Sequence, residues 1–419
     1  MLKLHNTMSR RLEPFKPRQS GKVKMFTCGP SIYRPPHLGN YRTFLWEDAL
    51  QRYLRYLGYH VERVINLTDI EDKAIEEAER SGKVLEDLTE GVSIRFFEEA
   101  SFLKMELPDH IPRSSTSVDQ AVYLIEKLME KGIAYRHGND IFYDPLKFPG
   151  FGKLYGLDMS RWPKKKVRFK KDTYPGRRWN LGDFILWHGH KPGSTIYWES
   201  SLGKGRPSWN IQDPAIITDH LGYEIDISCG GVDNLYRHHD YNIAVIEGVT
   251  GREFSRYWVH GEHLLAAGKK MSKSLNNIIY PHDMVKEGYS AEQIRFYLLC
   301  GHHRRPMNFK WKNVEKSASQ LDRLRQNVQR ILDSPSRNPK PHGSGEKEQE
   351  RSRELLHDFE VCMNEDLNMV AAVDALQQRL TRMAEDAEAN GFSSKEKEWL
   401  RQGLERIDGV FQFIFSSEK

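Results

Sequence analysis

Cysteine is scarce in this 419-residue chain: only Cys28, Cys229, Cys300 and Cys362 occur, and they are widely separated. Four scattered thiols do not make a disulfide framework, so a reducing, cytoplasmic setting is expected. Cys300 and Cys362 fall in helical patterns and read as core. Long apolar runs are missing too. The start, Met1-Leu2-Lys3-Leu4-His5-Asn6, has no apolar signal core, and no stretch is long enough to span a bilayer, so no membrane partner is expected. Charge of one sign is not in excess. Against 63 Lys and Arg stand 58 Asp and Glu, a formal +5, too mild to argue for a polyanion by itself. Internal repeats are absent. The chain does have 38% hydrophobic residues, nine Trp, 18 Tyr and 19 Phe, enough for the cores of two or three domains.

The first clear pattern is strand, helix, strand. Val23 to Cys28 reads as a strand. Leu45, Trp46, Ala49, Leu50, Tyr53, Leu54 and Leu57 then recur at the spacing of one buried helix face, and Gly58 ends the helix. Val61, Val64, Ile65 and Leu67 form a second strand, with Thr68-Asp69 at its carboxyl end. Such a unit implies a parallel sheet. Ligands of these sheets bind beyond the carboxyl ends of the strands, where Cys28, His37 and Thr68 fall.

Two short motifs carry the chemistry. Pro36-His37-Leu38-Gly39-Asn40 follows the first strand, and Lys270-Met271-Ser272-Lys273-Ser274 lies far downstream. Either alone would pass for an ordinary turn or a solvated basic loop. Together, in this order and context, they resemble the signature pair of class I aminoacyl-tRNA synthetases, which implies attack of an amino-acid carboxylate on the α-phosphate of ATP. That transition state spreads negative charge over phosphate oxygens and needs fixed donors and cations. A His at a helix N-terminus is well placed to donate to phosphate. Gly39 would allow close backbone approach, and Lys270 and Lys273 sit on a loop that could close over pyrophosphate.

The pair resembles the HIGH-type motif and KMSKS loop of class I aminoacyl-tRNA synthetases. Phe26-Thr27-Cys28-Gly29-Pro30-Ser31-Ile32-Tyr33, Asn66-Leu67-Thr68-Asp69-Ile70-Glu71-Asp72-Lys73, Gly205-Arg206-Pro207-Ser208-Trp209-Asn210-Ile211, Gly230-Gly231-Val232-Asp233, His238-His239-Asp240 and Tyr257-Trp258-Val259-His260 are similar to cysteinyl-tRNA synthetases. The resemblance implies an α/β fold: a Rossmann-like parallel sheet with an inserted α+β connective domain and a C-terminal α-helical bundle. It implies an ATP- and Mg²⁺-dependent ligase that makes an aminoacyl-adenylate and passes the acyl group to tRNA, cysteine being the first guess. His37, Asn40, Lys270 and Lys273 are the expected catalytic residues. Gly29, His37, Gly39, Asn40, Lys270, Met271, Ser272 and Lys273 would bind ATP. Cys28, Thr68, Trp209, Ser228 and Cys229 would form the amino-acid pocket. A monomer is expected.

Departures from the family's pattern concern its zinc site of two Cys, a His and a Glu. Cys28 and His238 match. Asp213 stands where the second Cys belongs, and Asn242 where the Glu belongs; Ser228 replaces a pocket His and Cys229 a Gly. Two readings stay open. Cys28, Asp213 and His238 hold zinc as three ligands, with or without Cys229, or the pocket has lost its metal and reads another side chain. His239 reads as a capping or filling residue.

The resemblance and composition divide the chain at 1–108 (catalytic, first half), 109–205 (connective insertion), 206–285 (catalytic, second half), 286–333 (helical stem), 334–351 (linker) and 352–419 (helical domain). The sheet is expected to resume from Ile211 to Asp233. In the insertion, Lys164, Lys165, Lys166, Arg168, Lys170, Lys171, Arg177 and Arg178 interleave with Trp162, Phe169, Tyr174 and Trp179, a pattern that suits either single-stranded RNA or a solvated loop. Cysteinyl-tRNA synthetases usually carry a further anticodon-reading domain beyond this point. Mycothiol ligases, which join cysteine to an amine, do not. An alternative acceptor, a small-molecule or peptide amine, is therefore the second functional reading. A non-catalytic binding paralogue is the third, and the intact KMSKS loop argues against it.

Overall fold

The computed structural model describes residues 1–169, 181–272, 275–336 and 345–415. At its centre lie four parallel strands: β1 (Lys22–Thr27), β2 (His60–Ile65), β3 (Ile225–Gly231) and β4 (Ser255–Gly261), in the spatial order β4-β3-β1-β2. Helix α1 (Leu38–Tyr56) joins β1 to β2. The chain then returns to the other side of β1 for β3, so the strand order reverses between β1 and β3. A crevice opens at such a point.

Helix α1 buries Leu45, Trp46, Ala49, Leu50, Tyr53 and Leu54, as its periodicity predicts, and Gly58 at φ 90° follows its end. It also buries Arg42, Glu47, Asp48 and Gln51 on its flanks. Glu47 and Gln51 face Arg63 of β2, Arg42 donates to the carbonyls of Glu262 and Arg305, and Asp48 is covered by Arg295; the C-terminal helices pack on α1 from outside, where Phe359 meets Tyr53 edge-on at 5.8 Å.

The segment expected to resume the sheet at Ile211 is instead helix α2 (Trp209–His220), started by Ser208, whose hydroxyl accepts from the Asn210 N–H at 3.1 Å. Residues from Trp209 to Thr218 are all buried. A helix buried all round shows no amphipathic period, and its isoleucines imitate a strand. Strand β3 begins only at Ile225. Helix α3 (Asp240–Thr250) follows an irregular turn and leads to β4.

The insertion between β2 and α2 contains a helix, Val118–Glu130, and a four-stranded antiparallel sheet, Ala134–His137, Asp140–Tyr143, Phe184–Gly189 and Gly205–Pro207, in chain order. Its last strand straddles the boundary drawn at 205/206. Its core is continuous with α2 and α3, since Phe184 stacks on Tyr241 at 3.8 Å. Of the described cations of the basic run, Lys166 and Arg168 are engaged within the insertion, while Lys164 and Lys165 are exposed. Trp162 is buried against Phe151, Lys166 pairs with Asp144 at 3.0 Å and sits over the Tyr135 ring, and Arg168 donates to the Tyr135 hydroxyl at 2.9 Å. Lys170, Lys171, Tyr174, Arg177, Arg178 and Trp179 lie outside the described residues.

Beyond the sheet come the stem helices, Ala291–Leu299 and Trp311–Asp333, and three C-terminal helices, Gly345–Met363, Met369–Asn390 and Ser394–Phe411. The expected linker, 334–351, is thus helical from Gly345. Its Glu, Lys, Gln and Arg residues look like a flexible charged tract, yet they are good helix formers. Cys300 and Cys362 are partly buried against the main core. Among the described residues, no helix is long and apolar enough to cross a membrane.

Candidate active site

A cleft of about 400 Å³ opens beyond the carboxyl ends of β1 and β3. It gathers Cys28 and Gly29 from the end of β1, His37 and Asn40 from the start of α1, Thr68 from beyond β2, Trp209 and Asp213 from α2, His238 from the turn before α3, and Met271 and Ser272 from the downstream motif.

His37 is the N-cap of α1. Its Nδ1 accepts from the Gly39 N–H at 3.1 Å, and the Asn40 Oδ1 accepts from the His37 N–H at 3.0 Å, the reciprocal capping arrangement. With Nδ1 accepting, the neutral ring carries its proton on Nε2. Burial, then the Lys270 charge, lower the His37 pKa to about 4, so the ring is a neutral donor. A Cβ at position 39 would lie 3.0 Å from two atoms of that ring; Gly39 therefore clears space for His37 itself.

Lys270 ends a short hairpin, Leu264–Ala266 paired with Lys269–Lys270. Ala267 and Gly268, at φ 52° and 72°, make the two-residue turn, which needs positive φ at both positions. Met271 is buried beneath it. The Asn277 Oδ1 accepts from the Ser272 N–H at 2.8 Å, while its Nδ2 donates to the carbonyls of Ala266 and Lys270. The Leu38 N–H donates to the Ile279 carbonyl at 2.8 Å, tying the first motif to the segment that follows the second. The Lys270 ammonium pairs with the Asp233 carboxylate. Burial would raise the Asp233 pKa, but Lys270 outweighs it and holds it below its usual value. Lys273 and Ser274 lie outside the described residues.

At the floor of the cleft, the Cys28 Sγ, one Asp213 carboxylate oxygen and one His238 ring nitrogen lie within 4.8 Å of one another. The Asp213 Oδ2 is 4.0 Å from the His238 Nδ1, and its Oδ1 accepts from the Asn66 Nδ2 at 2.9 Å. Trp209 packs its ring 4.6 Å from that of His238. Burial raises the Asp213 pKa to about 7, opposed by Asn242 and assisted by Glu71. Burial lowers the His238 pKa to about 4. Burial, then Asp213, push the Cys28 thiol well above its usual value. Sulfur, oxygen and imidazole nitrogen are all zinc donors, and three protein ligands with an open position make a substrate-accessible site. The residues therefore fit a zinc ion.

Two expected pocket residues do not line the cleft. Ser228 pairs with Phe26 and Trp258, and Cys229 with Thr27 and Val259, in the middle of the sheet. Both are fully buried. Cys229 lies beside Thr27, whose hydroxyl accepts from Arg63, and it is not among the residues of the Cys28 cluster. His239 fills the core, with its Nδ1 bonded to the His260 Nε2 at 2.7 Å. Conversely, Glu71 and Asp233 line the cleft and Asn66 braces it, though the motifs alone give them no role. Their signal is their place inside runs that carry the resemblance. In a second cluster, His302, His303 and Asp366, the carboxylate serves as a junction, accepting from the Arg304 side chain and from the His5 N–H at 2.7 Å, while neither ring nitrogen of buried His303 has a hydrogen-bond partner among the described residues.

The comparisons agree with this geometry. The family model described as tRNA synthetases class I (C) catalytic domain matches residues 14–319. The Cysteine--tRNA ligase of Chlamydia pneumoniae is 34% identical over 98% of this chain and 85% of its own length. That of Chlamydia abortus is 36% identical over 100% and 87%, and that of Methanosarcina mazei 36% identical over 92% and 81%. Among solved structures, Mycobacterium tuberculosis methionyl-tRNA synthetase in complex with methionyl-adenylate superposes with a TM-score of 0.70 at 15% identity, covering 93% of this chain and 92% of that one. The ternary complex of Agrobacterium radiobacter K84 LeuRS, tRNA and LeuAMS gives 0.64 at 12% identity over 96% and 85%. These two share the fold; the sequence relatives go further, and the chain belongs to the cysteine–tRNA ligase family of class I aminoacyl-tRNA synthetases.

Proposed function

We propose that this chain activates cysteine with ATP, forming cysteinyl-adenylate and pyrophosphate, and then transfers the cysteinyl group to the 3′ end of a tRNA. The observation that carries this reading is the convergence of His37, Lys270 and the Cys28–Asp213–His238 cluster on one cleft.

In the first step, a carboxylate oxygen of cysteine attacks the α-phosphorus as the bond to pyrophosphate breaks. The His37 Nε2–H donates to phosphate oxygens. Asn40 keeps that ring in place through the capping bonds. Lys270 leaves Asp233 for the phosphates, and with Lys273 it offsets the charge growing on pyrophosphate. Magnesium arrives with ATP and is held largely by its phosphates. Thr68 and Trp209 wall the amino-acid pocket. Cys28, Asp213 and His238 would hold zinc, which when bound supplies a soft site that takes a thiolate in preference to a hydroxyl. Positioning and charge carry the reaction without a covalent enzyme intermediate.

Four free cysteines support a cytoplasmic setting. The test is charging of total tRNA with labelled cysteine. Cysteine attached to an intact 3′-terminal adenosine, and absent after its removal, is expected. The second reading, transfer to a small-molecule or peptide amine, is favoured by Asp213 and Asn242 standing where the family has Cys and Glu. Adenylate formation without any tRNA charging would decide for it.

A further inference from the structure

We infer that Asn66 is a positioning residue that sets the Asp213 carboxylate for metal binding. The inference rests on the zinc reading above and goes beyond it, because Asn66 is not itself a ligand. Asn66 follows β2 directly and is 1% exposed. Its side-chain amide is fully used. The Oδ1 accepts from the Gly29 N–H at 2.7 Å, and the Nδ2 donates to the Asp213 Oδ1 at 2.9 Å and to the Thr68 Oγ1 at 3.1 Å. These partners fix the amide's orientation, since a flip would set its NH₂ against the Gly29 N–H. One Asp213 oxygen is thereby occupied. The other, Oδ2, is left facing His238 at 4.0 Å. The Asn66 backbone acts on the same turn: a Cβ at Gly29 would lie 1.8 Å from the Asn66 carbonyl oxygen, so only glycine lets the residue after Cys28 approach so closely.

One side chain therefore ties the candidate ligand Asp213 to the residue after Cys28, far apart in sequence. A carboxylate ligand held by a neutral hydrogen-bond donor is oriented before the cation arrives. Loss of such an outer partner commonly weakens metal binding about 10–100-fold. A merely structural role for Asn66 would act through the Gly29 turn and would be indifferent to residue 213. A positioning role requires the Asp213 carboxylate.

The experiment is a double-mutant cycle on the full-length protein. Zinc affinity is measured by competition with a chromophoric chelator, and the thiolate-to-metal absorption of the cobalt form is recorded in parallel. Asn66→Ala is expected to weaken zinc about 10–100-fold in the native background and to change the affinity less than about 2-fold in the Asp213→Cys background, where no carboxylate remains to be oriented. Asn66→Asp keeps the acceptor for the Gly29 N–H and should show the same dependence on background, which covers the case of Asn66→Ala failing to fold. Equal losses in both backgrounds, or no loss in either, overturn the inference while leaving the zinc site standing. If the native protein binds zinc no more tightly than Cys28→Ala, the zinc reading fails and this inference with it.

Discussion

Lys270 and Asp233 form an ion pair across the mouth of the cleft, so the lysine expected at the pyrophosphate is held by a carboxylate before ATP arrives. The Lys270 side chain is 53% exposed and contributes little to the core. Lys270→Ala should therefore leave the unfolding temperature nearly unchanged. It should lower the rate of ATP–pyrophosphate exchange about 10²–10³-fold, the usual cost of removing one donor or charge from a developing oxyanion. Unchanged exchange would remove Lys270 from the chemistry.

Arg295 and Asp48 lie 2.5 Å apart with no exposed side-chain surface. Arg295 also donates to the carbonyls of Phe411 and Leu103, clamping the stem, α1 and the last helix together. Arg295→Met should destabilise the protein by about 3 kcal/mol, the low end of the cost of breaking a buried pair, because Asp48 keeps Arg52 at 3.0 Å. Equilibrium unfolding in denaturant measures this, and a change below about 1 kcal/mol would contradict the clamp.

Beneath the sheet, Glu47 sits 3.6 Å from Arg63, both with no exposed surface. Burial raises the Glu47 pKa from 4.5 to about 8, opposed by Arg63. Between those two values the folded protein holds a proton that the unfolded chain has lost. Stability should then fall as pH rises from about 4.5 towards 8. Glu47→Gln should flatten that slope, and denaturation midpoints from pH 5 to 8.5 test it. A wild-type slope that Glu47→Gln leaves unaltered would contradict the assignment.

Acid should act in the opposite sense through His303. Burial lowers its pKa from 6.5 to about 3, with Asp366 raising it and His302, Arg304 and Arg42 lowering it further. The unfolded chain takes up a proton below pH 6.5 that the folded site refuses. Stability should decline as pH falls from 6.5 towards 3, and His303→Phe should remove that part of the decline. Identical acid unfolding of the variant and the native protein would exclude this role.

The catalytic motifs were legible because their residues sit at the ends of strands and helices, where few residue types serve. His37 caps α1, and Lys270 closes a hairpin whose turn demands positive φ. Helix α1 was legible from its period. Helix α2 was not, because burial on all sides erases the period. Ser228 and Cys229 were misplaced for another reason. They lie inside β3, while the cleft lies beyond its end, so only residues from Gly231 onward reach it. Asn66 was hidden because nothing in a sequence tells which buried amide joins residues 29 and 213.

The most direct test of the central claim is ATP–pyrophosphate exchange with each proteinogenic amino acid, before and after chelation and after zinc is restored. Exchange driven by cysteine, abolished by the chelator and recovered with zinc, is the predicted result. Exchange driven by another amino acid, or cysteine-driven exchange that ignores the chelator, would contradict a thiol-reading zinc site on Cys28, Asp213 and His238.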